Sequence, residues 1–304
     1  LDSDIPFFEY NLTFPIMSSN YYYGEDFFTS TKIPIGTGRY KITNTSTNSI
    51  TLAKNEKWKS FTGIEEVKIE NIKINLYSSM GEAYNSFKIG NVDILNTSNP
   101  NFQEYIGTIG FNKTDYAGRQ FDFLSLNCTD TILQDKAVRQ AISYAIDKSN
   151  IVSSVYNNQN MVAEYPLDYG NYLYTNNNAS SGYNAEQAKK VLEDGGWTYI
   201  NNRWKKNIDG STKTLRLKIT VCSDNEARIR VAEVIEQQLE QIGIDVTINK
   251  VSNDQYNNYI DNKDYQILLT GVYTSYSPDL TYFFAPGNLE NYSNEKMFEL
   301  IKNA

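Results

Sequence analysis

A chain of 304 residues that is 40% hydrophobic can bury a substantial core and should divide into about two domains. Its formal charge of −8 provides no basic stripe to displace the counterions along a phosphate backbone, which excludes a nucleic-acid partner and adhesion to anionic lipid through its own surface. The absence of histidine removes imidazole-activated nucleophiles and histidine-ligated metals, leaving any chemistry to carboxylates, lysine and tyrosine.

No apolar run approaches the ~20 residues needed to cross a bilayer, and the start, LDSDIPFFEYNLTFPI, reads as chain entering in mid-fold rather than as a leader. The elements that follow, from Ile33 to Ile94, are mostly strands. RYKIT, SITLA and VKIENIKINLY carry alternating or β-branched residues, with turns at Asn44–Asn48 and Phe61–Gly63. Gly36 and Gly38 mark a bend before the first strand; this GTG has no following helix with a lysine and is weak evidence for a phosphate site. A short helix over Gly81–Lys88, with Ala83 and Phe87 four apart, leads through Gly90 to a strand at VDIL.

The pattern changes at Gly118–Asp122, the boundary chosen here, beyond which strands alternate with helices. After the strand FDFLSLN, the run QDKAVRQAISYAIDKSNI places Val138, Ala141, Ile142 and Ala145 at three- and four-residue steps, which predicts one helix with a single buried stripe. Asp135, Arg139 and Lys148 then fall on its solvated face, where an i, i+4 pair between the first two contributes only ~0.3–0.5 kcal/mol. A polar segment rich in Tyr and Asn follows, with loops at Asn176–Asn178 and Ser180–Gly182. In GYNAEQAKKVLEDGGW, Asn184 caps a helix whose apolar face is Ala188, Val191 and Leu192; Gln187 is placed to reach back to the cap, and Gly195–Gly196 end it.

The clearest unit spans Leu215–Ile248. Leu215, Leu217, Ile219 and Val221 alternate as a strand, Val231, Ile235, Leu239 and Ile242 stripe a helix, and Ile244, Val246 and Ile248 alternate again, a β-α-β crossover with a parallel pair. QILLTGVY suits a further strand buried on both faces. Cys128 and Cys222 read as two buried thiols, each ending an apolar strand, rather than as a bridge or a zinc cluster. The 24 tyrosines and frequent asparagines fit either an AT-rich genome or a wet, aromatic binding surface.

Taken in order, IPIGTGRYKI, GNVDILN, FLSLN with LQDKAVRQAISYAIDK, YNAEQAKKVLEDGGW, VAEVIEQQLEQIGIDVTI and DYQILLTGVY resemble the peptide/nickel-type solute-binding proteins of ABC importers, above all the oligopeptide- and dipeptide-binding proteins. The resemblance implies an α/β, two-lobed periplasmic-binding-protein-like fold of type II, in the large peptide-binding subgroup. Residues 1–119 then match the later, β-rich part of lobe one and 120–304 most of lobe two, with a hinge near 118–122. It further implies a fragment of a longer extracytoplasmic lipoprotein, anchored to the outer face of the cell membrane through a cysteine upstream of this chain. Such a protein works as a monomer without a cofactor or catalysis, enclosing a short peptide or other small polar solute between its lobes and delivering it to membrane permease subunits.

In open α/β sheets the crevice lies beyond the carboxyl ends of the strands, which points to the loops after Val221 and Val272. Ser223, Asp224 and Asn225 follow the first, and Tyr273, Ser275 and Tyr276 the second. Phe123 and Ser125 resemble cleft positions of the family, although Phe123 equally suits a core and Tyr273 and Tyr276 equally suit packing; Asp224 is also placed to cap the helix starting near Glu226. Where Ser275 stands, peptide binders of this kind carry an aspartate that pairs with the ligand's α-amine. A hydroxyl cannot supply that charge-assisted bond, worth about 1.5–3 kcal/mol. Tryptophans of the family pattern are replaced by Val272 and Tyr256, and the proline of GTGPY by Arg39. Asp224 or Asp279 is the candidate to provide the anion from a neighbouring position. Three further functions stay open: a carboxylate hydrolase built on Asp254 with Asp261 or Asp264 with Asp279, a peptide-signal sensor on the same scaffold, and a binder of a metal chelate or oligosaccharide.

Overall fold

The computed structural model describes residues 18–26, 29–59, 67–99, 101–107, 110–174 and 182–302. The sequence readings of residues 1–16, of the turn at 61–63 and of the loop at 176–178 lie outside them. The described residues form two compact units, divided between Lys113 and Thr114. Each is described by itself.

In the first unit, a helix α1 (Ser19–Tyr22) precedes an antiparallel meander of β1 (Tyr40–Thr45), β2 (Ser49–Lys54) and β3 (Asn71–Asn75). The three predicted strands are therefore present. Helices α2 (Met80–Lys88) and α3 (Phe102–Ile106) follow, with Tyr84, Phe102 and Ile106 making a small core and Ser79 accepting from the Glu82 amide to start α2. Val92–Leu95 form no strand: Ile94 is exposed, and no described strand pairs with the segment. An apolar run this short does not create a strand unless a sheet edge lies beside it.

The second unit is built on a four-stranded sheet in the order β4-β10-β8-β9, where β4 is Gln120–Leu126, β8 Arg216–Cys222, β9 Asp245–Val251 and β10 Ile267–Tyr273. The β-α-β reading holds: β8 and β9 pair in parallel from Arg216↔Asp245 to Cys222↔Val251, joined by α7 (Glu226–Gln241), whose Val231, Ile235 and Leu239 are buried. QILLTGVY is the central strand β10, parallel to β8 on one side and antiparallel to β4 on the other. Its first four residues, Ile267–Thr270, are buried, as a strand between two others and under helices must be.

The predicted long helix is two helices. The chain leaves helical geometry at Ile146 (φ −92°, ψ 113°), and Asp147 accepts from the Asn150 amide to cap a new helix. Helix α4 thus spans Lys136–Ala145 and α5 Lys148–Tyr156. The buried stripe is as predicted, with Val138, Ala141, Ile142 and Ala145 all in the core. The solvated face is not. Asp135 bonds Lys206 and Trp197, Arg139 donates to the carbonyls of Leu133 and Gln134, and Lys148 pairs with Glu164. Distant partners outbid the i, i+4 alternative because they satisfy groups that folding would otherwise strip of water.

Helix α6 (Ala185–Asp194) is capped by Asn184, which accepts from the Gln187 amide at 2.9 Å. A Cβ on Gly195 would lie 2.4 Å from the Cβ of Ala137, so this glycine is what lets α6 close onto α4. Residues after it make a second antiparallel meander that the sequence reading did not anticipate: β5 (Thr198–Ile200), β6 (Arg203–Ile208) and β7 (Ser211–Thr214). Its anchor is Trp204, buried with its indole N–H donating to the Ile242 carbonyl at 2.7 Å. The remaining helices are α8 (Asn253–Asn262), opened by a capping box between Ser252 and Gln255, α9 (Thr281–Phe284) and α10 (Glu295–Lys302). Both cysteines are free; Cys222 is buried at the end of β8, whereas Cys128 lies two residues beyond β4 and is only half-buried.

Candidate functional site

Strands β8 and β10 point their carboxyl ends the same way, and β4, running opposite to β10, begins at that end. This edge of the sheet gathers the loops after Cys222 and Tyr273, the residues entering β4, and the segment around Asn171. It is the rim that the crevice rule singles out.

The loop after β10 is held from two sides. Thr274 donates through its amide (2.8 Å) and hydroxyl (3.0 Å) to the Arg119 carbonyl, and Arg119 Nη1 donates back to the Thr274 carbonyl at 3.3 Å. From the other side, the buried Asn171 donates from Nδ2 to the Tyr276 carbonyl at 3.1 Å. Tyr273 and Tyr276 are left 78% and 62% exposed, so at this rim they are not packing residues. The Arg119 guanidinium sits 4.2 Å from the Tyr276 ring centroid. Ser275 is exposed and accepts from the Ser277 amide at 3.0 Å.

Across the rim, Ser223 and Asp224 are exposed and bonded to each other at 3.2 Å. Asp224 does not cap α7; Asn225 does, accepting from the Arg228 amide at 3.0 Å. The cap seats Arg228 in the first turn of α7, from where it crosses β10 to grip both carboxylate oxygens of Asp122 on β4 at 2.8 and 3.2 Å. Gly271 leaves the space for this. A Cβ there would lie 2.1 Å from Asp122 Oδ1 and 2.3 Å from Arg228 Nη2. Burial disfavours the Arg228 cation, but the hydrogen bond and charge of Asp122 outweigh it, and the guanidinium is held more firmly protonated than usual.

Three of the positions anticipated from sequence are placed differently from the rest. Phe123 is half-buried, stacked on Phe121 at 5.4 Å and meeting Phe283 edge-on at 5.6 Å, a cluster beneath the rim rather than on it. Ser125 is fully buried and shares a 2.8 Å hydrogen bond with the Tyr265 hydroxyl. Tyr256, 6% exposed on α8, donates its hydroxyl to the Leu269 carbonyl at 2.7 Å. The hydroxyls of Ser125 and Tyr256 are thus engaged inside the unit. Sequence reasoning missed Arg119, Asp122, Asn171 and Arg228 because their partners are 105 to 155 residues away. Gly271, an odd residue in a buried strand run, was the available signal, since glycine there often marks a close approach.

Asp254, Asp261, Asp264 and Asp279 are all exposed, so the buried, paired carboxylates of a hydrolase are not found among them. Among the described residues no group of His, Cys, Asp and Glu is arranged to hold a metal ion. The opposite end of the sheet has a polar recess lined by Asn127, Asp130, Lys218 and Gln266, whose groups largely satisfy one another, as in Gln266 Nε2 donating to Asp130 at 3.1 Å.

Near Ser125, burial pushes the Glu290 carboxyl above its ordinary 4.5, with the hydrogen bonds to it offsetting this only in part, and its Oε2 is buried without a partner. The folded protein therefore holds this proton more tightly than the unfolded chain. Its stabilising share is complete below the unfolded carboxylate's range and is lost as pH rises through the higher folded value. Glu290→Gln is expected to flatten the decline of the melting temperature as pH rises above the ordinary carboxylate range, relative to wild type; parallel curves for the two proteins would refute it.

The fold is that of the type II periplasmic binding proteins of the peptide-binding class, to which solved structures align along nearly the whole chain. An ABC transporter substrate-binding protein, CtaP, from Listeria monocytogenes superposes with a TM-score of 0.83 at 20% identity, covering 100% of this chain and 61% of that one. The oligopeptide-binding protein AppA from Bacillus subtilis, in complex with a nonapeptide, gives 0.65 at 22% identity, covering 95% and 59%. The model of the bacterial extracellular solute-binding proteins, family 5, matches residues 3–294, and the chain belongs to that family. Among curated relatives, AppA of Bacillus subtilis (strain 168) is 28% identical over 193 residues, 60% of this chain and 35% of its own length. The peptide transport periplasmic protein SapA of Haemophilus influenzae is 25% identical over 296 residues, 89% of this chain and 48% of its own. The chain spans half or less of the length of these relatives.

Proposed function

We propose that this chain is part of an extracytoplasmic solute-binding subunit of an ABC importer, which captures short peptides and passes them to a membrane permease. The family match over residues 3–294 carries this reading. Residues 1–119 act as the later part of one lobe and 120–304 as most of the other, with the hinge near 118–122. Closing on a ligand is a population shift, so the ligand must touch both lobes to favour the closed state. In the second lobe the contact surface is Ser223–Asn225, Tyr273, Ser275 and Tyr276, while Phe123, Ser125 and Tyr256 keep the sheet beneath it in place. The relatives named for peptides support the ligand class, and so does a rim of amphipathic tyrosines and small hydroxyls that tolerates varied, hydrated side chains. The subunit works as a monomeric lipoprotein on the outer face of the membrane, without a cofactor and as a binder, not an enzyme. Among the described residues no helix is long and apolar enough to cross a membrane.

Titration calorimetry of the protein with a mixed pool of short peptides is expected to give saturable heat and a rise in melting temperature. Fluorescence is a poorer reporter, because two of the three tryptophans, Trp197 and Trp204, are buried in the core of the second unit and the third, Trp58, belongs to the first unit. No heat and no shift with any peptide would overturn the reading. An uncharged oligosaccharide is the second candidate, favoured by the same exposed tyrosine faces and by a solved neighbour with mannohexaose bound.

A further inference from the structure

We infer that Arg119 is a specificity-determining anion receptor, and that the ligand end seated against Tyr273–Tyr276 carries a carboxylate rather than a free ammonium group. This deepens the peptide reading above and rests on it.

Arg119 is held at both its backbone and its guanidinium. Its backbone carbonyl is fixed by Thr274, its Nη1 is spent on the Thr274 carbonyl, and its guanidinium lies over the Tyr276 ring at 4.2 Å. Tyr276 is in turn fixed through its own carbonyl by the buried Asn171. A guanidinium offers five N–H donors around its edge. With an aromatic face beneath it and a single bond to the protein, most of those donors remain available, in a fork geometry that matches a carboxylate.

No described carboxylate neutralises this cation. The two oxygens of Asp122 are taken by Arg228, with Gln120 Nε2 adding a third bond at 3.2 Å. Asp279 turns back to the Thr281 amide at 2.8 Å, and Asp224 accepts from Ser223. Ser275 contributes only a neutral hydroxyl. The segment from Tyr273 to Ser277 therefore holds no anionic group that would neutralise a ligand ammonium, while the guanidinium stacked on it would repel one. On a chain of net charge −8, long-range attraction of anions is weak, so Arg119 must act at contact range.

The test uses one C-terminally amidated peptide without charged side chains in three forms, with a free α-amine, N-acetylated, and N-succinylated to add a carboxylate, titrated into wild type, Arg119→Gln and Arg119→Lys. Wild type is expected to bind the succinyl form about tenfold or more tighter than the free-amine form. Arg119→Gln should bring the two within about twofold, with the succinyl form losing most and the neutral acetyl form least, and Arg119→Lys should retain part of the preference. Equal affinity of the succinyl and free-amine forms for wild type overturns the inference. So does a loss in Arg119→Gln that falls equally on all three forms, which would make Arg119 a strut for the loop. Failure of wild type to bind any form would instead overturn the peptide reading and take this inference with it.

Discussion

Gly271→Ala is expected to cost the second unit about 2–4 kcal/mol, because it forces apart an ion pair whose cation is largely cut off from water. The new methyl would meet Asp122 Oδ1 and Arg228 Nη2 at little over 2 Å and the Phe121 carbonyl at 3.0 Å. The carboxylate, whose side chain is 31% exposed, has room to swing outward; the guanidinium, at 13%, does not. Removing its partner leaves a cation largely cut off from water, a heavier loss than the pair's own net worth. For a unit of this size the expected drop in melting temperature is roughly 5–15 °C. A double-mutant cycle separates this from simple crowding. In a background of Asp122→Ala with Arg228→Met, Gly271→Ala should cost less than about 1 kcal/mol, since nothing charged remains to be displaced. Equal costs in both backgrounds would show that the clash with Phe121, not the ion pair, is what Gly271 avoids.

That pair also shows where reading a sequence stops. Periodicity located the core of the second unit well: the stripes on α4, α6 and α7 and the alternation along β8 all face inward as expected. These are local signals, because burial on one face repeats every two or every three to four residues. The break at Ile146 was hidden because Asp147 suits the polar side of a continuing helix as well as it suits a cap. The meander β5–β7 was hidden because its strands are short and nearly all exposed, apart from Trp204. The crevice rule led to the tyrosine rim, yet the charges that shape it, Arg119, Asp122 and Arg228, come from segments more than 100 residues away from their partners. Side-chain pairing over such separations leaves no periodic trace.

The rim and its support are therefore chemically distinct. Above lie exposed Tyr273, Ser275 and Tyr276, the surface proposed to meet a ligand; below lie Phe121, Phe123 and Phe283, whose ring contacts tie β4 to α9. An ordered surface of this kind loses less entropy on binding, because the loop after β10 is already pinned by Thr274 and Asn171 before a ligand arrives.

Asp135→Ala carries the other large expected effect, about 2–5 kcal/mol, from three losses at one carboxylate. Asp135 caps α4 through the Ala137 amide at 2.9 Å, accepts from the indole of Trp197 at 3.0 Å, and pairs with Lys206 at 2.7 Å. One residue thereby ties α4 to the end of α6 and to β6, and its removal leaves the N–H of a 2%-exposed tryptophan without a partner. Burial alone would raise this carboxyl, but the bonds from Lys206, Ala137 and Trp197 outweigh it and hold it below the ordinary 3.8. The unfolded chain therefore takes up the Asp135 proton first as pH falls. The stabilisation is fully present above the unfolded carboxylate's range and disappears as pH drops through the lower folded value. Denaturant melts at neutral pH should show the full deficit in Asp135→Ala, narrowing progressively below about pH 4. Asp135→Asn distinguishes the cap from the charge: it keeps an acceptor for the Ala137 amide but not the ion pair, and should fall between wild type and alanine at neutral pH. A deficit that stays constant into acid would mean that the ionised carboxylate contributes nothing, and that packing around Trp197 accounts for the loss.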